Sequence, residues 1–200
     1  MKNSREYILN TSFTLFLRKN FKEVTMNEIV RETGLSKGAL YHYFTSKEQL
    51  FKEVIDSFFF KKMVIDFKKL RNDSLKNFYR HYAKEVKRII MDLEKYLNSK
   101  NESVDINYFM MMFDAIKIFP GFRDKIKDTQ KNELSAWTRM VRKARKGGEF
   151  TSPMSDEQIA RFFVYSSDGI TLNLLSNKSY ETVDLQMIKL WDNFYKELKK

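Results

Sequence analysis

Residues 25 to 50, TMNEIVRETGLSKGALYHYFTSKEQL, place three helix starts within a little over twenty residues, which leaves room only for short elements joined by tight turns. Thr25 and Glu28 have the spacing of a capping box, in which a hydroxyl and a carboxylate satisfy free N–H groups at a helix start. Met26, Ile29, Val30 and Thr33 then share one helical face, predicted to point inward. Gly34 permits a sharp turn, Leu35 is expected to return to the core, and Ser36 can cap a second short helix from Lys37 to Phe44. Ser46 and Gln49 repeat the capping spacing ahead of Leu50, Phe51, Val54 and Ile55. The stretch reads as a helix-turn-helix.

At about 100° per residue, the second of these helices carries Leu40 and Phe44 on its inner side and Gly38, Ala39 and His42 opposite. Lys37 and Tyr41 flank the outward face on one side and Tyr43 on the other. The surface so formed has donors, one cation and no carboxylate. It suits a DNA major groove: glycine and alanine let backbone approach base edges, an alanine methyl can meet a thymine methyl, and Lys, Tyr and His reach phosphates or bases.

These residues resemble the DNA-binding domain of TetR-family transcriptional regulators, with its recurring pattern T-x-x-x-I-x-x-x-x-G-x-S-x-G-x-L-Y-x-Y-F-x-S-K-x-x-L. Thr25, Ile29, Gly34, Ser36, Gly38, Leu40, Tyr41, Tyr43, Phe44, Ser46, Lys47 and Leu50 stand at its positions, and Ile8, Leu9, Phe13 and Phe16 resemble the family's first helix. Asn20 stands where a glycine is usual and Thr33 where an alanine is usual.

The resemblance implies an all-α chain with an N-terminal three-helix DNA-binding domain, residues 1–48, and a C-terminal helical ligand-binding and dimerisation domain, residues 49–200. A continuous linking helix, 46–70, would join them, with a soft boundary between Lys62 and Ser74. By resemblance, Thr25, Tyr41 and Lys47 would hold phosphates, Lys37, Gly38, Ala39 and His42 would lie nearest the bases, and Ser36 would start the recognition helix and touch backbone. The implied partners are a double-stranded, pseudo-palindromic operator, a second copy of the chain docked through helices near 155–176 and 180–199, and a small-molecule effector that releases a repressor from DNA.

The 37 Lys and Arg against 26 Asp and Glu give a net charge of +11, which favours a polyanionic partner but equally describes a solvated surface, so the motif decides rather than the charge. A hydrophobic share of 42% is enough to bury a core. With no Cys there is no disulfide framework, no run is long enough to span a bilayer, and the start MKNSREYILN lacks a signal-peptide pattern, so a soluble cytoplasmic protein is expected.

Helical periodicity continues along the chain. A first helix is predicted over 4–19 and a long amphipathic one from Leu75 to Leu97. After a polar loop, Ser99 to Ser103, the stretch from Ile106 to Phe119 is apolar on most sides and is expected to be a central, buried helix ended by Pro120 and Gly121. The next helix, from Phe122 to Lys146, ends in Arg142, Lys143, Arg145 and Lys146 ahead of Gly147 and Gly148. That basic run reads as a complement to the helix dipole with a glycine cap, in preference to a nucleic-acid site. Ser155 and Gln158 start a helix carrying Ile159, Phe162, Phe163, Ser166, Ile170 and Leu174, and Val183, Met187, Leu190, Trp191, Phe194 and Leu198 line the last one.

Catalytic and metal-binding sets are missing from the sequence. Its two histidines are His42 and His81, too few for a zinc site without other ligands, and neither a phosphate loop nor a nucleophile elbow occurs. No cofactor, metal or enzymatic activity is expected. Tyr82, Phe109, Met112, Phe113, Trp137 and Tyr165 are candidates to line a pocket for an apolar or cationic ligand, with Asp114, and also Asp168, as candidate cation partners. Core packing is the competing role for each aromatic residue. A helix-turn-helix that serves protein interaction, or a helical enzyme, are the alternative functions.

Overall fold

The computed structural model describes residues 4–62, 64–98, 107–177 and 179–199, which form helices and no strand. In order these are α1 (Ser4–Arg18), α2 (Met26–Thr33), α3 (Lys37–Tyr43), α4 (Lys47–Ser57), a π-helical turn (Phe58–Lys62), α5 (Leu75–Asn98), α6 (Asn107–Ile118), α7 (Phe122–Lys146), α8 (Asp156–Ser176), a 3-10 turn (Tyr180–Thr182) and α9 (Val183–Leu198). They gather into two compact units, Met1–Val64 with Glu94–Phe122, and Ile65–Leu93 with Arg123–Lys200. The first unit therefore extends well beyond residue 48, because α4 packs back on α1, with the Phe51 ring edge-on to Phe16 at 4.7 Å. The loop expected over Ser99–Ser103 lies outside the described residues.

The helix expected over 46–70 is shorter. Its α-helical part ends at Ser57, a π turn follows to Lys62, and residues 64–66 are not helical. Ring packing accounts for the change. Phe58 stacks on Phe13 of α1 at 3.6 Å, Phe59 on Tyr108 of α6 at 4.1 Å, and Phe60 meets Phe122 edge-on at 5.2 Å. Three consecutive side chains thus reach three different partners, and the wider π turn re-aims them at the end of the helix. Lys62 closes the turn, with its ammonium 4.3 Å from the Phe58 ring and 3.2 Å from Asn10 Oδ1.

α6 is not the all-round buried helix its composition predicted. Tyr108, Met111 and Ala115 form its buried stripe, whereas Met110 is 50% and Phe113 48% exposed, and Phe109 and Met112 are half-buried. Spacing of three and four residues selects one face for burial, and the remaining apolar residues fall on the other.

The second unit is built on aromatic packing. Trp137 stacks on Phe163 at 4.9 Å and meets Phe78, Tyr82 and Trp191 edge-on. The Trp191 indole N–H donates to Ser166 Oγ at 2.8 Å, which gives that half-buried hydroxyl a structural use. The basic end of α7 is also structural. Gly148 adopts φ 75°, its N–H donates to Arg145 and that of Glu149 to Ala144, the paired bonds of a left-handed glycine cap. Arg142 and Arg145 pair with Asp156 at 3.3 and 2.8 Å, and Lys143 donates to the Asn72 carbonyl. α8 begins with a complete capping box between Ser155 and Gln158. His81 is half-buried and its Nδ1 accepts the Arg71 N–H at 3.0 Å. Among the described residues no helix is long and apolar enough to cross a membrane.

Candidate nucleic-acid interface

The candidate reading surface is assembled by its caps. Thr25 Oγ1 accepts the Glu28 N–H at 3.1 Å and starts α2. The reciprocal half of that capping box is missing, because the Glu28 carboxylate goes to Lys19 at 2.6 Å, a bond that holds its pKa below the usual carboxylate range. Gly34 ends α2 at φ 65°, where a side chain would be strained, and returns its N–H to the Arg31 carbonyl. Thr33, buried, donates to the Ile29 carbonyl at 2.8 Å, so its hydroxyl is satisfied within the helix. Ser36 Oγ accepts the Ala39 N–H at 3.1 Å and starts α3. Ser46 Oγ likewise accepts the Gln49 N–H, while Gln49 Oε1 takes the Thr45 N–H and hydroxyl instead of returning to Ser46.

α3 is anchored by Leu40 and Phe44, both fully buried. Leu35, expected in the core, is only half-buried, since the turn carries it to the rim. Opposite the anchors, Lys37, Gly38, Tyr41 and His42 are exposed and Ala39 and Tyr43 half-buried. The Lys37 ammonium lies 5.9 Å from the Tyr41 ring centre, and the His42 ring is edge-on to Tyr43 at 5.2 Å. A Cβ added at Gly38 would meet nothing within 4 Å, so no neighbour in the chain requires a glycine there. From Thr33 to Lys47 the sequence holds no Asp or Glu. The helix thus offers an exposed, cationic and donor-rich surface beside a bare backbone, and Thr25 and Ser36, also exposed, stand at the starts of α2 and α3.

Lys47, expected to hold a phosphate, is engaged within the chain. Its ammonium donates to the carbonyls of Phe21 and Val24 at 2.8 and 2.9 Å and lies 4.3 Å from the Phe21 ring centre. As the first residue of α4 it stands where a cation opposes the helix dipole, and the carbonyls of the α1–α2 turn supply the compensating negative charge. Asn20 serves the same turn, its Oδ1 accepting the N–H groups of Lys22 and Glu23. Arg5 is engaged by an ion pair with Glu53 and lies over the Phe44 ring.

The expected ligand residues fall in both units. Phe109, Met112, Phe113 and Asp114 belong to the first unit, and Tyr82, Trp137 and Tyr165 to the second. Asp114 is used within the chain, its Oδ2 accepting the Phe21 N–H at 3.3 Å, a contact the sequence did not signal because 93 residues separate the two. Phe113 faces outward, and Tyr165 is 57% exposed with its ring beside Arg161. Tyr82 and Trp137 are brought together, ring centres 5.0 Å apart, inside the aromatic core. Tyr82 donates to Glu133 Oε1 at 2.7 Å, and burial raises the Glu133 carboxyl above its ordinary range despite that bond. Among the described residues, no group of three or more His, Cys, Asp or Glu is placed to hold a metal ion.

Comparison with known proteins points to the same segment. Residues 8–54 match the family model described as bacterial regulatory proteins, tetR family. Over 168 residues, 84% of this chain and 78% of the relative, the chain is 26% identical to YfiR of Bacillus subtilis, an HTH-type transcriptional regulator. It is 22% identical to BepR of Brucella suis, an HTH-type transcriptional repressor, over 83% of this chain and 78% of that protein. Among solved structures, AibR in complex with isovaleryl coenzyme A and operator DNA has the same fold, with a TM-score of 0.59 at 18% identity over 96% of each chain. The family consists of transcriptional regulators and not of enzymes. Residues 8–54 thus carry the helix-turn-helix segment of tetR-family regulatory proteins, and over most of its length the chain is similar to HTH-type transcriptional regulators.

Proposed function

We propose that the protein is a cytoplasmic, homodimeric repressor that binds a pseudo-palindromic operator and is released by a small ligand. The observation that carries this reading is the exposed, carboxylate-free face of α3, with a bare glycine at its start and Leu40 and Phe44 fixing the helix from beneath. Lys37, Gly38, Ala39 and His42 read bases, Tyr41 and Thr25 hold phosphates, and the Ser36 hydroxyl touches the DNA backbone. Lys47 acts from beneath by shaping the turn that precedes Thr25. The reading domain is the α1–α3 segment, residues 1–48, and the remainder carries ligand binding and dimerisation.

A second copy is supported by α8 and α9. Tyr165, Leu172, Leu185 and Leu190 are 57%, 44%, 61% and 40% exposed, an apolar excess on the last two helices that a partner would cover. Gly169, with open space where a Cβ would stand, allows a partner helix to approach closely. Two heads on one dimer then read half-sites about one helical turn apart, or a multiple of that spacing. AibR, solved in complex with isovaleryl coenzyme A and operator DNA, supports the binding of both a small molecule and DNA by a protein of this fold.

Footprinting of the purified protein on DNA upstream of its own gene tests the reading. Protection of a palindrome, with an affinity that falls steeply as salt rises, is the expected result. A chain that binds no duplex but captures a protein through α3 would instead establish the interaction-module alternative.

A further inference from the structure

The turn between α1 and α2 is held from two sides within the first unit. From α4, Lys47 donates to the carbonyls of Phe21 and Val24. From α6, the Asp114 carboxylate accepts the Phe21 N–H. One residue of the turn therefore has its N–H on α6 and its C=O on α4. The Phe21 ring is fixed as well, 4.8 Å from Phe51, which in turn lies 6.1 Å from Phe119 just beyond the end of α6. From this turn the chain passes through Val24, fully buried, to Thr25, the cap of α2. Little slack separates the Phe21 peptide from the start of the helix-turn-helix.

We propose that Asp114 is a positioning residue for DNA binding. Its carboxylate fixes the Phe21 peptide and through it the placement of Thr25 and α2, so that operator affinity depends on where α6 holds Asp114. The proposal rests on the repressor reading above and adds to it a contact by which α6 holds the turn ahead of the helix-turn-helix. A displacement of α6 that lengthens this bond frees the Phe21 N–H, and the turn then relaxes around Lys47 alone. The effect required is modest, since a coupling of typical size changes affinity about fivefold or more.

Electrostatics gives the test its sign. Removing a carboxylate from a protein that binds a polyanion ordinarily strengthens binding. The clamp predicts the reverse. The full-length wild-type chain is used to select its own duplex from a random library, and variants are titrated on that duplex at several salt concentrations, each checked by circular dichroism to be folded at the assay temperature. Asp114→Ala is expected to weaken binding at least about fivefold, with the salt slope unchanged because no phosphate contact is lost. Asp114→Asn keeps an acceptor oxygen and is expected to stay within about twofold of wild type. Asp114→Leu, similar in shape, without an acceptor and a better helix former, should behave as Ala does and replaces it if the Ala variant melts too low. Equal or tighter binding by Ala or Leu, or an Asn variant as weak as they are, overturns the proposal. A wild-type chain that selects no duplex overturns the repressor reading itself, and the clamp's role with it.

Discussion

The Lys47 ammonium lies 2.8 Å from the carbonyl oxygen of Phe21, a residue 26 positions earlier in the chain, and 4.3 Å from the centre of its ring. This bond makes Lys47 part of the architecture under the reading surface. Lys47→Ala should therefore destabilise the protein by about 1–3 kcal/mol, the range for a charged hydrogen bond less the solvent screening of a half-buried group. Urea unfolding followed by circular dichroism measures it. A variant of unchanged stability whose only defect is a salt slope shallower by about one ion would return Lys47 to the phosphate contacts.

Gly38 separates binding from folding. No neighbour crowds it, so Gly38→Ala should be neutral for stability or gain up to about 1 kcal/mol from helix propensity, while operator binding falls sharply because the methyl lies between backbone and base edges. Thermal melting and anisotropy titration of the same sample test both halves. Normal DNA affinity would remove Gly38 from the interface.

His42 and Tyr41 should differ in kind. His42→Ala is expected to lose about 1–3 kcal/mol of discrimination at one base position, seen as a relaxed preference in a library selection. Tyr41→Phe, which removes only a hydroxyl, should weaken every sequence alike. Identical selection profiles for His42→Ala and wild type would leave His42 without a base to read.

Leu185 is the most exposed large apolar residue of α9. Leu185→Lys should shift the dimer toward monomer in analytical ultracentrifugation and lower operator affinity, because a single head loses the second half-site. A fully dimeric variant would exclude this part of α9 from the interface.

Glu133 gives stability a pH dependence. Burial raises its pKa in the folded state above the ordinary value of 4.5, so over the window between the two the folded chain holds a proton that the unfolded chain has lost. Stability falls as pH rises through that window and stays lower above it. Glu133→Gln, which can still accept the Tyr82 hydroxyl, should raise the melting temperature at pH 7 and change it little at pH 4. A variant less stable than wild type at pH 7 would show that the charged form is favoured.

The helix starts and the exposed face of α3 were legible in the sequence because they depend on local chemistry. A hydroxyl three residues before an N–H it can bind, a glycine at a left-handed position, and apolar residues four apart at Leu40 and Phe44 act within one or two turns of chain. The glycine-capped basic end of α7 was legible for the same reason. Tertiary structure decided the rest. Phe58, Phe59 and Phe60 extend a helical pattern on paper, yet rings on α1, α6 and the start of α7 claimed them separately, so α4 ends at Ser57 and a π turn follows. Asp114 and Lys47 read locally as a ligand partner and a phosphate contact, but a carbonyl or N–H brought close by the fold gave each a nearer partner. Sequence specifies hydrogen bonds a few residues apart. Which distant groups meet is set by packing, because burial of apolar faces, the dominant favourable term, decides which helices lie side by side.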